Sequence, residues 1–247
     1  MRKTLINAAS LGSLVSLAAV SLVVAAPSPK TRAPELEFVQ EVFIDFGSLT
    51  HPGPGSHPTT ESGDYQLSYG GAQWFAGGVV EYAIMGVEPT GGANTALENA
   101  VATWDSFVMP RAFNRNDATT QTNPCTGAAN AIEWGSLDGT GSALAVASVC
   151  RNVATKEIVG FVITMDNTEP WSVGGSSTTF DIENVASHEA GHVAGLGHVN
   201  APKSGCLTLY KFAGLGEIQK RTLGLGDKLG MNALYGSADL AAGSCGS

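Results

Sequence analysis

The sequence feature that most constrains this chain is a run of histidines around a glutamate at residues 188–198. It reads His-Glu-x-x-His-x-x-Gly-x-x-His and contains three of the five histidines in the chain. On a helix, His188 and His192 lie one turn apart on the same face, so both imidazoles can bind one metal ion. Gly195 lets the chain turn back, because glycine adopts positive φ at no steric cost, and His198 can then reach the same ion.

Three neutral imidazoles leave one tetrahedral position open, which is typical of a catalytic rather than a structural zinc site. The pattern therefore predicts one catalytic Zn²⁺ bound by His188, His192 and His198. Glu189 stands beside the first ligand, where a carboxylate can take a proton from a water at the open position. The alternative is a helix that carries histidines by chance, and the length of the pattern makes it a weak one.

The motif and its surroundings resemble a known family. His-Glu-x-x-His-x-x-Gly-x-x-His is the signature of metzincin metalloproteases, and residues 185–187 and 195–199 are most similar to the matrixin branch. Residues 221–236 resemble the C-terminal matrixin helix, and a weaker similarity begins at Gln73-Trp74. The resemblance implies an α+β, zincin-like catalytic domain: a twisted mixed β-sheet with a long helix packed on it, an active-site helix carrying the HExxH motif, and a small helical C-terminal subdomain.

By the same resemblance, the chain is expected to be a zinc-dependent endopeptidase that acts on proteins or peptides. Two other functions stay open: a non-catalytic secreted zinc-binding module, and a zinc hydrolase with a non-peptide substrate. Glu189 argues against the first, because binding zinc alone does not require a carboxylate at that position. Only the resemblance favours a peptide over another substrate.

Metzincins carry a methionine turn beneath the metal, and the resemblance places Leu209 at the position of that methionine, followed by Tyr210. Leucine keeps the volume and polarity of methionine, so the exchange costs little. Tyr210 either lines the site or packs in the core. Matrixins often carry a structural Ca²⁺, for which Asp138, Asp166 and Asp181 are candidates; without a D-x-D-x-D loop they are better suited to capping loops.

The amino terminus has the three parts of a secretory signal peptide: the basic residues Arg2 and Lys3, an apolar run from Leu11 to Val24, and a small-residue exit. We expect cleavage after Ala25, which leaves residues 1–25 as the signal. An uncleaved membrane anchor is the alternative, but the run is short and contains serines. The sequence thus predicts a secreted, extracellular protein with no stable membrane association after cleavage.

Residues 26–70 are interpreted as an N-terminal extension or short pro-segment with a linker, and residues 71–247 as the zinc protease domain. Within the extension, residues 37–46 predict one strand, which either covers the cleft or adds to the catalytic sheet. The latency device of matrixins is a pro-segment cysteine that binds the zinc. No cysteine precedes Cys125, so we expect that device to be absent.

The protease domain is predicted to begin with a strand at residues 79–84 and a helix with Thr95 as N-cap, which Pro110 closes. Asp181 is the expected N-cap of the metal-binding helix. Three further strands are predicted at residues 131–134, 143–149 and 157–165. If the matrixin order holds, an edge strand receives the substrate as an added antiparallel strand, and residues 143–149 are our choice for that edge.

Four cysteines behind a signal peptide indicate disulfides formed in an oxidising compartment. Three connectivities are open, and we expect the sequential one, Cys125–Cys150 and Cys206–Cys245. The formal charge of −9 becomes −11 once the two basic residues of the leader are removed. An acidic surface argues against nucleic acid as a partner, since phosphate contacts need lysine and arginine. We expect a monomer whose partner is its protein or peptide substrate.

Overall fold

The structure is a computed structural model, and it describes residues 34–45, 62–105, 111–119, 125 and 130–236. The helices are α1 (Ala93–Asp105), α2 (Ile182–Val193) and α3 (Leu225–Tyr235). The strands are β1 (Leu36–Asp45), β2 (Gln66–Leu67), β3 (Val79–Met85), β4 (Ala112–Arg115), β5 (Ala131–Gly135), β6 (Ala143–Asn152), β7 (Ile158–Asp166), β8 (Trp171–Ser172), β9 (Phe180–Asp181), β10 (Leu196–Gly197) and β11 (Phe212–Ala213).

The main sheet is mixed and has the order β11-β1-β6-β7-β5-β3-β4. The strands β7, β5, β3 and β4 run parallel to one another, whereas β6 is antiparallel to both β7 and β1. Every residue of β6 from Ala143 to Cys150 is buried, because neighbouring strands cover both of its edges and helix α2 packs against it. With the helix α3 after the sheet, this arrangement confirms the predicted α+β fold.

Helices α1 and α2 pack against the sheet to form the main core. Leu97 and Val101 of α1 meet Ile182 and Val185 of α2 in one cluster with the apolar side chains of β5, β6 and β7. Trp104 is almost fully buried, as its helical spacing from Leu97 predicts. Pro110, the predicted end of this helix, lies outside the described residues.

The predicted N-cap of α1 is wrong. The helix begins at Ala93, two residues before Thr95. The preceding turn supplies the acceptors for its first N–H groups: the carbonyl of Thr90 accepts from Ala93, and the Glu88 carboxylate accepts from Asn94 at 3.2 Å. A hydroxyl cap at Thr95 is therefore unnecessary.

The strand expected in the N-terminal extension is present as β1, and it is added to the catalytic sheet. It pairs with β6 in antiparallel register from Leu36, opposite Asn152, to Ile44, opposite Ala143. On its other side, Ile44 and Asp45 pair in parallel with β11. Consequently β6 is not an edge strand in this chain, contrary to our choice of residues 143–149 as the edge, because β1 covers it.

One of the expected disulfides lies within the described residues. Cys125 and Cys150 are bonded, with their Cα atoms 5.8 Å apart, and this bridge joins the loop before β5 to β6. Cys206 is also disulfide-bonded, but its predicted partner Cys245 lies outside the described residues. No helix in the described part of the chain is long and apolar enough to cross a bilayer.

Candidate active site

Helix α2 carries the first two predicted metal ligands and is fixed firmly at its start. The Asp181 carboxylate caps it by accepting a hydrogen bond from the N–H of Asn184 at 2.9 Å, as the sequence predicts. The same carboxylate pairs with the Arg221 guanidinium at 2.5 and 2.8 Å. Because a capped and paired first turn does not fray, the helix holds the side chains that follow in constant positions.

The three histidines converge on one point. The Nε2 atoms of His188, His192 and His198 lie 3.0–3.1 Å from one another. His188 and His192 are fully buried, and the side chain of His198 is 17% exposed. Within the described residues, these three form the only group of histidine, cysteine, aspartate or glutamate side chains placed to share a metal ion.

Backbone carbonyls determine the protonation of the first two rings. Nδ1 of His188 lies 2.7 Å from the carbonyl oxygen of Thr208, and Nδ1 of His192 lies 2.8 Å from that of Leu196. A carbonyl can only accept, so each Nδ1 carries the proton and each Nε2 presents its lone pair to the common point. Two neutral imidazoles in this tautomer are what a zinc site requires.

Burial keeps these rings neutral. It lowers the pKa of His188 well below its usual value, and it lowers the pKa of His192 to about 4. The pKa of His198 falls to about 3, chiefly through burial and secondly through the neighbouring His192, although the Glu41 carboxylate opposes this shift. All three rings are thus neutral at neutral pH, and each can offer a nitrogen lone pair as a ligand.

Gly195 turns the chain between the second and third histidines. Its φ is +99°, and a Cβ atom built there would lie 2.5 Å from the carbonyl oxygen of Ala72. Both the left-handed conformation and the close approach require glycine. The strand β10 follows at once and pairs with β2, which leads His198 to the other two rings.

Glu189 is placed for acid–base chemistry. Its side chain is fully buried, and neither carboxylate oxygen has a hydrogen bond of good geometry among the residues that the structure describes. Burial raises its pKa well above the usual value, the charge of Glu41 adds to that shift, and the backbone N–H of Ala147 partly opposes it. A buried polar group without a good hydrogen bond is costly, so its retention beside three metal ligands fits a group that a metal-bound water would satisfy.

In a comparison with protein-family models, residues 73–236 match the matrixin model. That range contains the three histidines and Glu189. The chain belongs to the matrixin family. A search of curated proteins finds no match to the chain.

Matrixins are zinc-dependent endopeptidases, and the donor set of this matrixin fits zinc. Three converging Nε2 lone pairs supply three ligands and leave a fourth position open. The residues that would hold the ion are His188, His192 and His198, as predicted. Among the residues that the structure describes, the other candidate metal ligands, Asp138, Asp166 and Asp181, join no such group.

These three aspartates cap loops. Asp166 accepts from the N–H groups of Leu137 and Thr168, and Asp138 accepts from the N–H of Ala143 at 3.2 Å. Asp181 is the N-cap of α2. Loop capping was the function that their spacing favoured over calcium binding.

The turn that contains Thr208 and Leu209 lies next to His188. The resemblance places the methionine turn here. Leu209 is buried and packs closely against helix α2. A Cβ atom built at Gly191 of that helix would lie 2.6 Å from Cδ2 of Leu209. The carbonyl of the preceding Thr208 accepts from His188. The backbone of this turn thus orients a ligand, while the side chain of Leu209 packs in an apolar cluster with Trp104 and Ala190.

Tyr210 packs against neighbouring apolar side chains. It forms a small buried cluster with Val199 and Leu207, and its ring lies edge-to-face with Phe212 at 5.5 Å. Burial raises the pKa of its hydroxyl above the usual value. Of the two roles that the sequence leaves open for Tyr210, these contacts support the packing role.

Asp227 is a site residue that the sequence did not reveal. It lies in the first turn of α3, where its carboxylate accepts from the N–H of the N-cap residue Gly224 at 2.9 Å. The same buried carboxylate accepts from the N–H groups of Thr208 at 2.8 Å and Leu209 at 3.2 Å. Asp227 therefore holds the turn that orients His188. The available signal was an acidic residue in the first turn of a predicted helix, where a carboxylate can accept from free backbone N–H groups.

The indole groups of two tryptophans donate hydrogen bonds to backbone carbonyls of helix α2. The Trp104 indole donates to the carbonyl of Ser187 at 2.8 Å, and the Trp74 indole donates to that of Val193 at 2.9 Å. The hydroxyl of Tyr235 donates to the next carbonyl, that of Ala194, at 2.8 Å. The end of α2 is thereby capped by side chains that are remote in sequence.

We expect Asp227→Ala to destabilise this matrixin by about 3 kcal/mol or more, because three buried N–H groups lose their acceptor. The turn at Thr208 should loosen as well, so zinc affinity should fall with stability. Urea unfolding and zinc content of the purified protein measure the two effects. Asn232→Ala, on the same helix and half-buried, is the matched control. If both variants unfold at the same urea concentration as the wild type, the Asp227 carboxylate does not stabilise the protein.

Proposed function

We propose that this chain is a secreted zinc-dependent endopeptidase, in which Glu189 is the general base. The observation that carries the proposal is the fully buried carboxylate of Glu189, which has no hydrogen bond of good geometry among the described residues, beside three convergent histidine nitrogens. A site that only bound zinc would gain nothing from that carboxylate, and the helix would be more stable with an apolar side chain in its place. Membership of the matrixin family supports a peptide as the substrate.

The chain's own residues perform three tasks in this proposal. His188, His192 and His198 hold the ion, and the carbonyls of Thr208 and Leu196 keep the first two rings in the required tautomer. A bound zinc ion would polarise the scissile carbonyl and lower the pKa of a bound water. Glu189 takes the proton of the attacking water on a carboxylate oxygen and passes it to the leaving amine.

Export of the chain is part of the proposal. The apolar leader of the sequence and the Cys125–Cys150 disulfide both support an oxidising compartment outside the cytosol.

The test is metal removal and restoration. Purified protein is analysed for zinc by mass spectrometry, and hydrolysis of casein is measured before dialysis against a chelator, after it, and after addition of zinc. We expect one zinc per chain, and hydrolysis that disappears with the metal and returns with it. Hydrolysis that survives complete removal of zinc would contradict the proposal. Zinc binding with no hydrolysis would favour a non-catalytic module, provided that the strand β1 has also been released from β6.

A further inference from the structure

The strand β1 occupies a place that a substrate peptide would need. Without β1, strand β6 would be an edge beside the histidines, with unpaired N–H and C=O groups. An extended peptide can add to such an edge by β-augmentation. In this chain β1 pairs with β6 along its whole length, from Leu36–Asn152 to Ile44–Ala143. No second peptide can pair with β6 while β1 is there.

β1 passes close to the metal site without entering it. Glu41 lies opposite Ala147 in the register, and its Oε2 is 3.6 Å from Nδ1 of His198. The Ser68 hydroxyl donates to Oε1 of the same carboxylate at 2.8 Å. The carboxylate therefore faces the back of the His198 ring, away from the Nε2 atoms that converge. The strand covers the approach along β6 and leaves the ligand set intact.

The position of β1 in the sheet, between β6 and β11, is formed by other parts of the domain. We call this position the slot. On one side, β6 is held by β7 and by α2. On the other side, the buried Lys220 ammonium, paired with Glu217, donates to the carbonyl of Phe212 in β11 at 2.9 Å. The slot should therefore persist when β1 leaves.

The side chains of β1 that the structure describes, residues 36–41, add limited contacts to the backbone pairing. Glu37, Phe38 and Gln40 are exposed, and Val39 packs at the edge of the main core. Besides the contacts of Glu41, the polar contacts are a surface ion pair from Glu37 to Arg151 and a hydrogen bond from Gln40 to Ser148 at 3.0 Å. Exposed pairs of this kind contribute little to stability. The backbone ladder runs along the whole strand and is its main attachment to β6, as it is for a bound peptide.

We propose that residues 36–45 are an inhibitory strand, which fills the substrate edge of β6 and must leave before a protein substrate can bind. This inference rests on the proposed endopeptidase function, but it differs from the latency device of matrixins, because no cysteine and no ligand to the metal is involved.

The first test measures binding, without catalysis. A fluorescein-labelled peptide with the sequence of residues 36–45 is titrated into the full chain carrying Glu189→Gln, which cannot cleave it. Two further substitutions, Val39→Pro and Gln40→Pro, weaken β1: alternate residues of an antiparallel strand donate to β6, so two successive prolines remove at least one ladder bond. The matched control is Val39→Ala with Gln40→Ala, which shortens the same side chains and keeps both N–H groups.

We expect the peptide to bind the proline variant at least tenfold more tightly than the alanine control, as measured by fluorescence anisotropy. In the control the attached strand competes at a millimolar effective concentration, so micromolar peptide cannot displace it. With Glu189 restored, the proline variant should hydrolyse casein at least tenfold faster than the alanine control. Equal peptide binding and equal hydrolysis in the two proteins would overturn the inhibitory role.

If the proline variant does not fold, a cross-linked variant tests the inhibitory role of β1. Gln40→Cys with Ser148→Cys joins directly paired residues of β1 and β6, whose side chains already touch. The oxidised variant should lose at least tenfold in casein hydrolysis relative to either single-cysteine variant, whereas unchanged hydrolysis would overturn the proposal. Peptide binding by the proline variant without hydrolysis in any of these proteins would contradict the endopeptidase function, while showing that β1 occupies a peptide-binding edge of β6.

Discussion

Glu189→Gln should bind zinc as the wild type does and lose casein hydrolysis by about 10³-fold, since general base catalysis contributes about 10²–10⁴-fold. Glutamine has nearly the same shape as glutamate, and the three histidine nitrogens and their backbone carbonyls are untouched. What disappears is the ability to take a proton. The measurement combines zinc content with the initial rate of hydrolysis, in a background where β1 is released from β6.

The free energy of unfolding of this variant is the control measurement. The buried carboxylate of Glu189 has no hydrogen bond of good geometry among the described residues, so its replacement by a neutral amide should not lower the free energy of unfolding. Normal hydrolysis by Glu189→Gln would show that another group is the base. A variant that lost zinc together with activity would show instead that Glu189 supports the metal site.

His192→Ala should lose both zinc and activity. It removes one of three ligands at the centre of the site, where Nε2 of His192 lies 3.0–3.1 Å from the other two. Loss of a group that merely orients a ligand typically costs 10–100-fold in affinity or activity, so loss of the ligand itself should cost more than about 100-fold. Isothermal titration of the metal-free protein with zinc measures the affinity directly.

The two variants together separate metal binding from catalysis on a single helix. Glu189→Gln serves as the control for His192→Ala, because both residues are fully buried in α2 and a general disturbance of the helix would affect both proteins. If His192→Ala kept zinc at wild-type affinity, the histidine group would not be the metal site.

The histidine site could be predicted because its signals are local, whereas the fold was predicted from the resemblance to the matrixins. His188, Glu189 and His192 lie within one and a half helical turns, and Asp181 caps that helix from the preceding position. The metal ligands therefore follow from the spacing of residues along one element. Gly195, with its positive φ, extends this local pattern to His198.

What the sequence could not reveal depends on contacts between distant residues. Gln40 and Ser148 are 108 positions apart, and nothing in either segment indicates that β1 adds to β6 rather than to another edge. Asp227 reaches Thr208 across 19 positions. The start of α1 was misplaced for a related reason: the acceptors for its first turn are Glu88 and the backbone, and a capping sequence at Thr95 took no part.

The burial of helix α2 has a consequence for how this chain can change. Eleven of its twelve residues are buried, and even Gly191 has no room for a methyl group between Leu209 and Trp104. An ordinary surface helix leaves about half of its positions free to vary. Here only Glu183 is not buried, and even its side chain is just 18% exposed and lies 3.9 Å from Arg221. Almost any mutation in the helix therefore disturbs packing, whatever its effect on chemistry.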